Sequence, residues 1–267
     1  MGVWTCNANA CKRQFPVTSG TPLHRTRVTL PKWFLAIWLI TTSSKGVSSK
    51  KLAEWLEVDY RTAWYMGHRI RKMLEDPMWE KLSGIVEADE VYVGGRKKPE
   101  DTDPGPGTGR SKRGRGHGRA TVLVAVQRGG ESRPPRVATR KISTHSKAEI
   151  SRALKQVVSG DARLITDDLP AYRSIGRKMS EHRIVDHGRR QFSLGDGIHV
   201  NSAEGFIGMF RPAVQGTWHW VSRKHVEAYS EECAWRHGRS CSPAIDRFSA
   251  AFNGLSNGPV GYNALTA

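Results

Sequence analysis

Three acidic residues stand far apart in the chain, at positions where carboxylates could bind a metal ion. Asp89 lies in a strand-like segment with Glu87 and Glu90, and so many carboxylates in a short buried strand would be costly. Asp167 ends a second apolar strand, where open α/β sheets place their ligands. Glu204 lies one turn into a predicted helix. Mg²⁺ takes oxygen ligands such as these. The alternative for each acid is a surface salt bridge, because spacing alone does not show that the three converge.

A metal site of this kind favours chemistry at phosphorus. Two divalent ions about 3.5–4 Å apart stabilise both the attacking and the leaving oxygen of an in-line displacement. Arg211 follows Glu204 at a spacing that puts both on one face of the predicted helix. The pattern therefore predicts a phosphodiester substrate, with a basic side chain near the acids.

The chain has a strong excess of basic residues. Its 42 Lys and Arg outnumber 25 Asp and Glu, which gives a formal net charge of +17. A nucleic acid is the expected partner, because each neutralised phosphate releases condensed counterions; charge alone leaves a basic scaffold protein as the alternative. The best apolar stretch, residues 33–40, is far shorter than the ~20 residues that cross a bilayer. Because the N-terminus has no signal-peptide pattern, we expect a cytoplasmic protein that is not associated with a membrane.

Two of the four cysteines lie close enough in sequence to share a metal. Cys6 and Cys11 form a C-x4-C pair, which can supply half of a zinc knuckle. Tetrahedral zinc needs four ligands, and Cys233 and Cys241 are more than two hundred residues away. We therefore expect the pair to be an incomplete zinc site.

Residues 31–80 have helical periodicity and contain a pattern typical of a helix-turn-helix. Ser48 or Ser49 can cap a first helix, a short turn follows at residues 57–59, and Ala63 begins the buried face of a second helix. A plain helical hairpin is the alternative. Several polar and aromatic side chains of the second helix are available to contact a DNA groove: Tyr60, Arg61, Thr62, Tyr65 and Arg69.

From residue 84 onward the periodicity becomes that of strands. Residues 84–92, 120–127 and 136–142 read as three successive strands, followed by a helix at 147–158 and a strand at 162–166. This order predicts an α/β fold, a ribonuclease-H-like mixed sheet flanked by helices. Between the first two strands lies a basic, glycine-rich loop, residues 94–119, which is expected either to follow DNA phosphates or simply to be solvated.

Several motifs resemble the bacterial insertion-sequence transposases of family fifteen-ninety-five. The segment VEADEVYVGG at residues 86–95 is similar to the motif that opens the catalytic domain of that family. Further similar segments follow in the family's order, at residues 166–172, 199–206 and 216–225, and others precede it at 15–21 and 62–71. The resemblance covers most of the chain.

The resemblance implies a transposase with a DDE catalytic site, preceded by a zinc ribbon and a helix-turn-helix. Asp89 matches the first acid of the family and Asp167 the second, with Asp168 as the alternative. The third position matches Glu204, and Asn201 is the alternative because some relatives have Asn there. The implied cofactor is Mg²⁺ or Mn²⁺, bound by the three acids, while Arg211 steadies a phosphate.

The resemblance also implies partners and a division of the chain. The partners are the terminal inverted repeats of the element and target DNA, bound by a homodimer or a larger assembly. The expected regions are a partial zinc ribbon at 1–30, the helix-turn-helix at 31–80, the catalytic domain at 81–242 and a C-terminal tail at 243–267. The family's ribbon has two Cys pairs and only the second is present here, so zinc binding is doubtful. The alternatives are a truncated transposase that only binds DNA, and a nuclease of the same fold.

Overall fold

A computed structural model describes residues 2–76, 79–93, 120–130, 134–143, 146–168, 170–176, 179–185 and 199–266. The chain forms two compact units. The helical unit contains Met1–Trp79 and Ser242–Ala267, and the sheet unit contains Glu80–Cys241. The basic loop expected at residues 94–119 lies outside the described residues.

The helical unit begins with a small antiparallel hairpin. Strands β1 (Val3–Thr5) and β2 (Gln14–Pro16) pair with Trp4 opposite Phe15, and both cysteines lie in the connection between them. Hydrogen bonds with the Arg13 backbone and with Cys6 lower the pKa of the Cys11 thiol, which favours the thiolate form that binds metals. Among the residues that the structure describes, no third His, Cys, Asp or Glu joins this pair in a metal-binding group.

Three helices follow the hairpin: α1 (Leu30–Thr42), α2 (Ser49–Leu56) and α3 (Tyr60–Leu74). Ser48 caps α2 by accepting a hydrogen bond from the backbone N–H of Lys51, and Glu57 ends it in the left-handed conformation. Asp59 then caps α3, accepting from the N–H of Arg61 at 2.8 Å. These two side-chain caps start both helices and fix the short turn between them. The helix, turn and helix predicted here are present.

The C-terminal segment completes the helical unit. It contains α8 (Ala244–Ala250), a 3-10 segment (Ala251–Asn257) and α9 (Tyr262–Thr266). The rings of Phe248 and Phe252 pack edge-on against aromatic side chains of α1, Trp38 and Phe34. The Asn257 side chain donates hydrogen bonds to two carbonyls at the end of α3, at 2.7 and 2.8 Å. The residues expected to form a tail are therefore an integral part of this unit.

Among the described residues, the sheet unit has five strands: β3 Ile85–Val93, β4 Ala120–Gln127, β5 Arg136–Ile142, β6 Arg163–Asp167 and β7 Glu181–Val185. Their order in the sheet is β5-β4-β3-β6-β7. β3, β4 and β5 are antiparallel neighbours, whereas β6 pairs parallel with β3 and β7 parallel with β6. This is the strand order and direction of a ribonuclease-H-like sheet, so the predicted fold class is confirmed.

Helices cover both faces of this sheet. Their bounds are α4 Lys147–Val157, α5 Pro170–Gly176, α6 Asn201–Pro212 and α7 Val226–His237. α6 and α7 pack on the face that carries Val91, Val122 and Val124, and they bury Phe206 and Phe210 there. α4 and α5 pack against the sheet as well, and Tyr172 of α5 lies by Glu90, which points to the opposite face. Burial from both sides explains why β4 is apolar along almost its whole length.

α6 ends at Pro212. Pro212 has no N–H to donate to the preceding turn, and the backbone continues as a π-helical segment, Ala213–Trp218. Among the described helices, none is both long and apolar enough to cross a bilayer.

Candidate active site

Asp89 and Asp167 lie on two neighbouring inner strands of the sheet, at the point where β6 ends. β3 and β6 run parallel with Ala88 opposite Thr166, so the next residue of each strand is an aspartate. Alternation along the strands points both side chains to the face on which α6 packs. Both are partly exposed. The parallel register therefore brings together two carboxylates that lie far apart in the sequence.

A third carboxyl, Glu90, lies beside this pair but on the opposite face of β3. Burial raises its pKa to about 7; the nearby Tyr172 hydroxyl lowers it in part, and the charges of Asp167 and Asp89 raise it further. Burial and the same three carboxylates also raise the pKa of Tyr172. Although Glu90 and Tyr172 influence each other, no hydrogen bond of normal length and angle joins the Tyr172 hydroxyl to a described residue. Three carboxyl groups, those of Glu90, Asp89 and Asp167, therefore lie close together where β6 ends.

This raised pKa gives a stability prediction. A carboxyl whose pKa is higher in the folded than in the unfolded chain stabilises the fold below its unfolded pKa of 4.5, and this stability is lost as the pH rises through about 7. When the pH is raised from 5 to 8, we expect the unfolding free energy of Glu90→Gln to increase by about 2–3 kcal/mol relative to that of the wild type. Urea unfolding in EDTA at the two pH values measures it. An equal difference at both would contradict the assignment.

A buried carboxylate, Glu87, attaches α6 to the sheet. One oxygen accepts hydrogen bonds from the backbone N–H groups of Ser202 and Ala203, at 2.7 and 3.0 Å. The other accepts from the Ser202 hydroxyl at 2.9 Å and from the Arg128 guanidinium. Arg128 in turn donates to the backbone carbonyl of His199, at 2.8 Å. The charge of Glu87 is thus compensated although the side chain has no exposed surface, and it satisfies two N–H groups at the start of α6 that have no partner within the helix.

The other predicted site residues lie on α6. Asn201 is its first residue, Glu204 lies in its first turn and Arg211 in its last, and all three are exposed. Glu87, two residues before Asp89 on the same face of β3, bonds the first turn of α6, so Glu204 is on the same side of the sheet as the two aspartates. Within the described residues, however, no three His, Cys, Asp or Glu side chains lie close enough to hold a metal ion. The strand register places Asp89 beside Asp167, and no described carboxylate joins them in a group of three.

Asp168, the alternative to Asp167, has a different environment. Its carboxylate accepts two hydrogen bonds from the guanidinium of Arg173, at 3.0 and 2.6 Å. The geometry therefore favours Asp167 as the partner of Asp89.

The groove-facing residues predicted on α3 have different positions in the structure. Tyr60 and Arg61 are exposed, and Thr62 and Tyr65 are partly exposed. Arg69 is only 4% exposed, and its guanidinium donates to the backbone carbonyls of Pro22 and His24. Arg69 therefore holds the preceding segment against α3, and the expectation that it faces a DNA groove is corrected.

A cavity of about 450 Å³ opens beside α3 in the helical unit. Three exposed arginines line it together with aromatic rings; the lining includes Arg25, Arg27, Arg61, Trp33, Tyr65 and Tyr262. Arginines next to aromatic faces are typical of surfaces that contact nucleic acid backbones and bases. The two arginines that precede α1 were not predicted, because only the fold brings them next to α3.

The chain matches the family model of the ISXO2-like transposase domain over residues 81–238. It is also 32% identical over 206 residues to an uncharacterised protein in transposable element ISH50 of Halobacterium salinarum, a match that covers 75% of this chain and 67% of that protein. The chain therefore belongs to the ISXO2-like family of insertion-sequence transposases, as its motifs indicated.

Crystal structures of Mos1 transposase are similar at low sequence identity. The chain of a pre-cleavage Mos1 transpososome is 15% identical, with 81% of this chain and 76% of that chain covered and a TM-score of 0.30. The Mos1 paired-end complex with the left transposon end is 16% identical, with coverages of 84% and 78% and a TM-score of 0.31. These scores are too low for a residue-by-residue correspondence.

Proposed function

We propose that this transposase cleaves DNA at the ends of its insertion sequence and joins the freed 3′-OH ends to target DNA. The observation that carries the proposal is the position of Asp89 and Asp167, which directly follow the last paired residues of β3 and β6 and lie on one face of the sheet. Two adjacent aspartates would hold divalent metal, and such metal stabilises the charge on the attacking and leaving oxygens of an in-line displacement at phosphorus.

The ligands fit Mg²⁺ or Mn²⁺. Mg²⁺ is usually bound through one or two protein carboxylates together with substrate phosphates, and Asp89 and Asp167 provide two. Their negative charge contributes to the raised pKa of Glu90. A cation bound between Asp89 and Asp167 would therefore reduce the repulsion among these carboxylates. When bound, the metal would supply Lewis-acid stabilisation of the phosphate oxygens. Asp89 and Asp167 would hold it, with Glu204 or, as the alternative, Asn201 as a further ligand from α6.

The chain's own residues orient the DNA for two successive displacements. In the first, water attacks the phosphodiester at the element end, one P–O bond forms, another breaks and a 3′-OH leaves. In the second, this hydroxyl attacks a phosphodiester of the target DNA in the same way. Arg211, exposed near the end of α6, steadies a phosphate through its guanidinium. No covalent bond to the protein is needed in either step.

The helical unit binds the terminal inverted repeats in this proposal. Its support is the exposed start of α3, the arginine-lined cavity beside it and the net charge of +17. Two element ends have to be held together before joining, so the active species is a homodimer or a larger assembly. Light scattering of the protein with and without end DNA measures this state.

We expect Arg61→Ala together with Arg27→Ala to weaken binding of end DNA by about tenfold or more. The salt dependence of binding should also fall, because fewer phosphate contacts mean that fewer counterions are released from the DNA. Fluorescence anisotropy at several salt concentrations measures both quantities. The matched control is Lys45→Ala, which removes an exposed charge from the connection between α1 and α2. Equal weakening by the control would argue against a specific surface at the cavity.

The experiment that tests the proposed function combines the protein with labelled element-end DNA, a target plasmid and Mg²⁺ or Mn²⁺. We expect nicked ends and joined products, both lost in EDTA. Bound but uncut DNA would show that the chain acts only as a DNA-binding protein. Cleavage without joined products would instead indicate a nuclease.

A further inference from the structure

We infer that Glu87 is a positioning residue that sets the place of the first turn of α6, and through it the place of the third ligand, relative to Asp89. This inference rests on the proposed function, because positioning matters only if Glu204 or Asn201 acts with the two aspartates. Its structural basis, a fully buried carboxylate with four donors, is independent of the metal.

The position of Glu87 along the strand gives the first argument. It lies two residues before Asp89 and on the same face, so its carboxylate and that of Asp89 are fixed by the same short piece of backbone. Its partners on α6, Ser202 and Ala203, lie between Asn201 and Glu204. A single side chain therefore links the strand that carries the first acid directly to the turn that carries both candidates for the third ligand.

The chemistry of the contacts gives the second argument. One carboxylate oxygen takes both backbone N–H groups, and the other takes the Ser202 hydroxyl and Arg128. A carboxylate at a helix N-terminus is also stabilised by the helix dipole. Arg128 also bonds His199, two residues before α6 begins, through the backbone carbonyl at 2.8 Å and the ring Nδ1 at 3.0 Å. The entry into α6 is thus fixed on both sides of its first residue.

The alternative is that Glu87 only stabilises the fold. A second buried ion pair allows positioning to be distinguished from a general contribution to stability. Glu232 and Arg236 of α7 form this pair within the same unit, and both are almost fully buried. The carboxylate of Glu232 accepts from Arg236, one turn further along the same helix. Glu232→Gln is therefore a matched control for the loss of one buried carboxylate charge.

The test compares Glu87→Gln and Glu232→Gln in the full chain. Glutamine keeps the size of the side chain but has one oxygen, so its NH₂ group faces N–H or O–H donors whichever way it turns. Hydrogen exchange without metal or DNA is expected to speed up at residues 199–207 in Glu87→Gln and to stay unchanged there in Glu232→Gln. End cleavage at saturating DNA is expected to fall about tenfold to a hundredfold in Glu87→Gln, with end-DNA affinity retained, as for residues that orient metal ligands.

Ser202→Ala provides a graded variant, since it removes the hydroxyl but keeps both backbone hydrogen bonds to Glu87. We expect it to reduce cleavage by less than Glu87→Gln does. Unchanged exchange at 199–207 in Glu87→Gln, or an equal loss of cleavage in Glu87→Gln and Glu232→Gln, overturns the inference. If the wild type does not cleave at all, the proposed function fails, and the exchange data alone still show whether Glu87 holds the start of α6.

Discussion

Asp89→Asn is expected to lower the rate of end cleavage about a thousandfold or more, while the protein still binds end DNA. Asparagine preserves the shape of the side chain but removes the negative charge that a divalent ion requires. A thousandfold loss corresponds to about 4 kcal/mol of transition-state stabilisation, which is in the range of the several kcal/mol that metal ions supply. Because Asp167 lies next to Asp89, Asp167→Asn should have an effect of similar size.

Single-turnover cleavage of labelled end DNA, with binding measured in parallel, tests this expectation. The control is Asp161→Asn, which changes an exposed aspartate in the turn before β6 and should leave the rate unchanged. The double variant of Asp89 and Asp167 should be little slower than either single variant, since residues that act as a unit are not additive. Wild-type rates in Asp89→Asn would exclude it as a metal ligand.

Glu204→Gln is expected to lower the cleavage rate about a hundredfold or more, and Asn201→Ala by less than tenfold. The prediction follows from charge: a carboxylate binds a hard cation more strongly than an amide does, and Glu204 with Arg211 lies at the spacing of one helix face. In the structure no described carboxylate joins Asp89 and Asp167 in a group of three. Like charges repel without a cation between them, so we expect the Glu204 side chain to turn toward the two aspartates when metal and DNA are bound, while the first turn of α6 keeps its place.

A change of metal sharpens this comparison. Glu204→Cys should regain more activity with Mn²⁺ than with Mg²⁺, because a thiolate is a softer ligand than a carboxylate. Asn201→Cys serves as the control on the same turn and should show no such preference. The reverse pattern, with rescue at position 201, would assign the third ligand to Asn201.

Most elements of the sheet unit could be predicted from periodicity. β4 and β5 have the predicted bounds because their apolar residues lie between clear breaks in the pattern. The adjacency of Asp89 and Asp167 is different. It depends on the register of two parallel strands, with Ala88 opposite Thr166, and no local pattern encodes which residues of distant strands face each other.

Three features were missed for similar reasons. The sequence shows Glu87 only as an acid that is costly to bury in a strand, because its donors Ser202 and Ala203 lie more than a hundred residues away. Arg69 was expected to contact DNA, but its guanidinium donates to backbone carbonyls of the segment before α1, which only the fold brings close. The aromatic residues Phe248 and Phe252, spaced four apart, were the available sign that the C-terminal segment packs as a helix.

The helical unit is discontinuous in sequence, and this has a consequence for the time at which it folds. The chain leaves it at Trp79 and returns only at Ser242. The carbonyls at the end of α3 accept hydrogen bonds from Asn257, which is synthesised much later. The chain also packs closely at Gly254, where a side chain would collide with the Met73 carbonyl. Domains generally fold as they leave the ribosome, so the sheet unit can mature first. A nascent chain can thus complete its sheet unit before its helical unit.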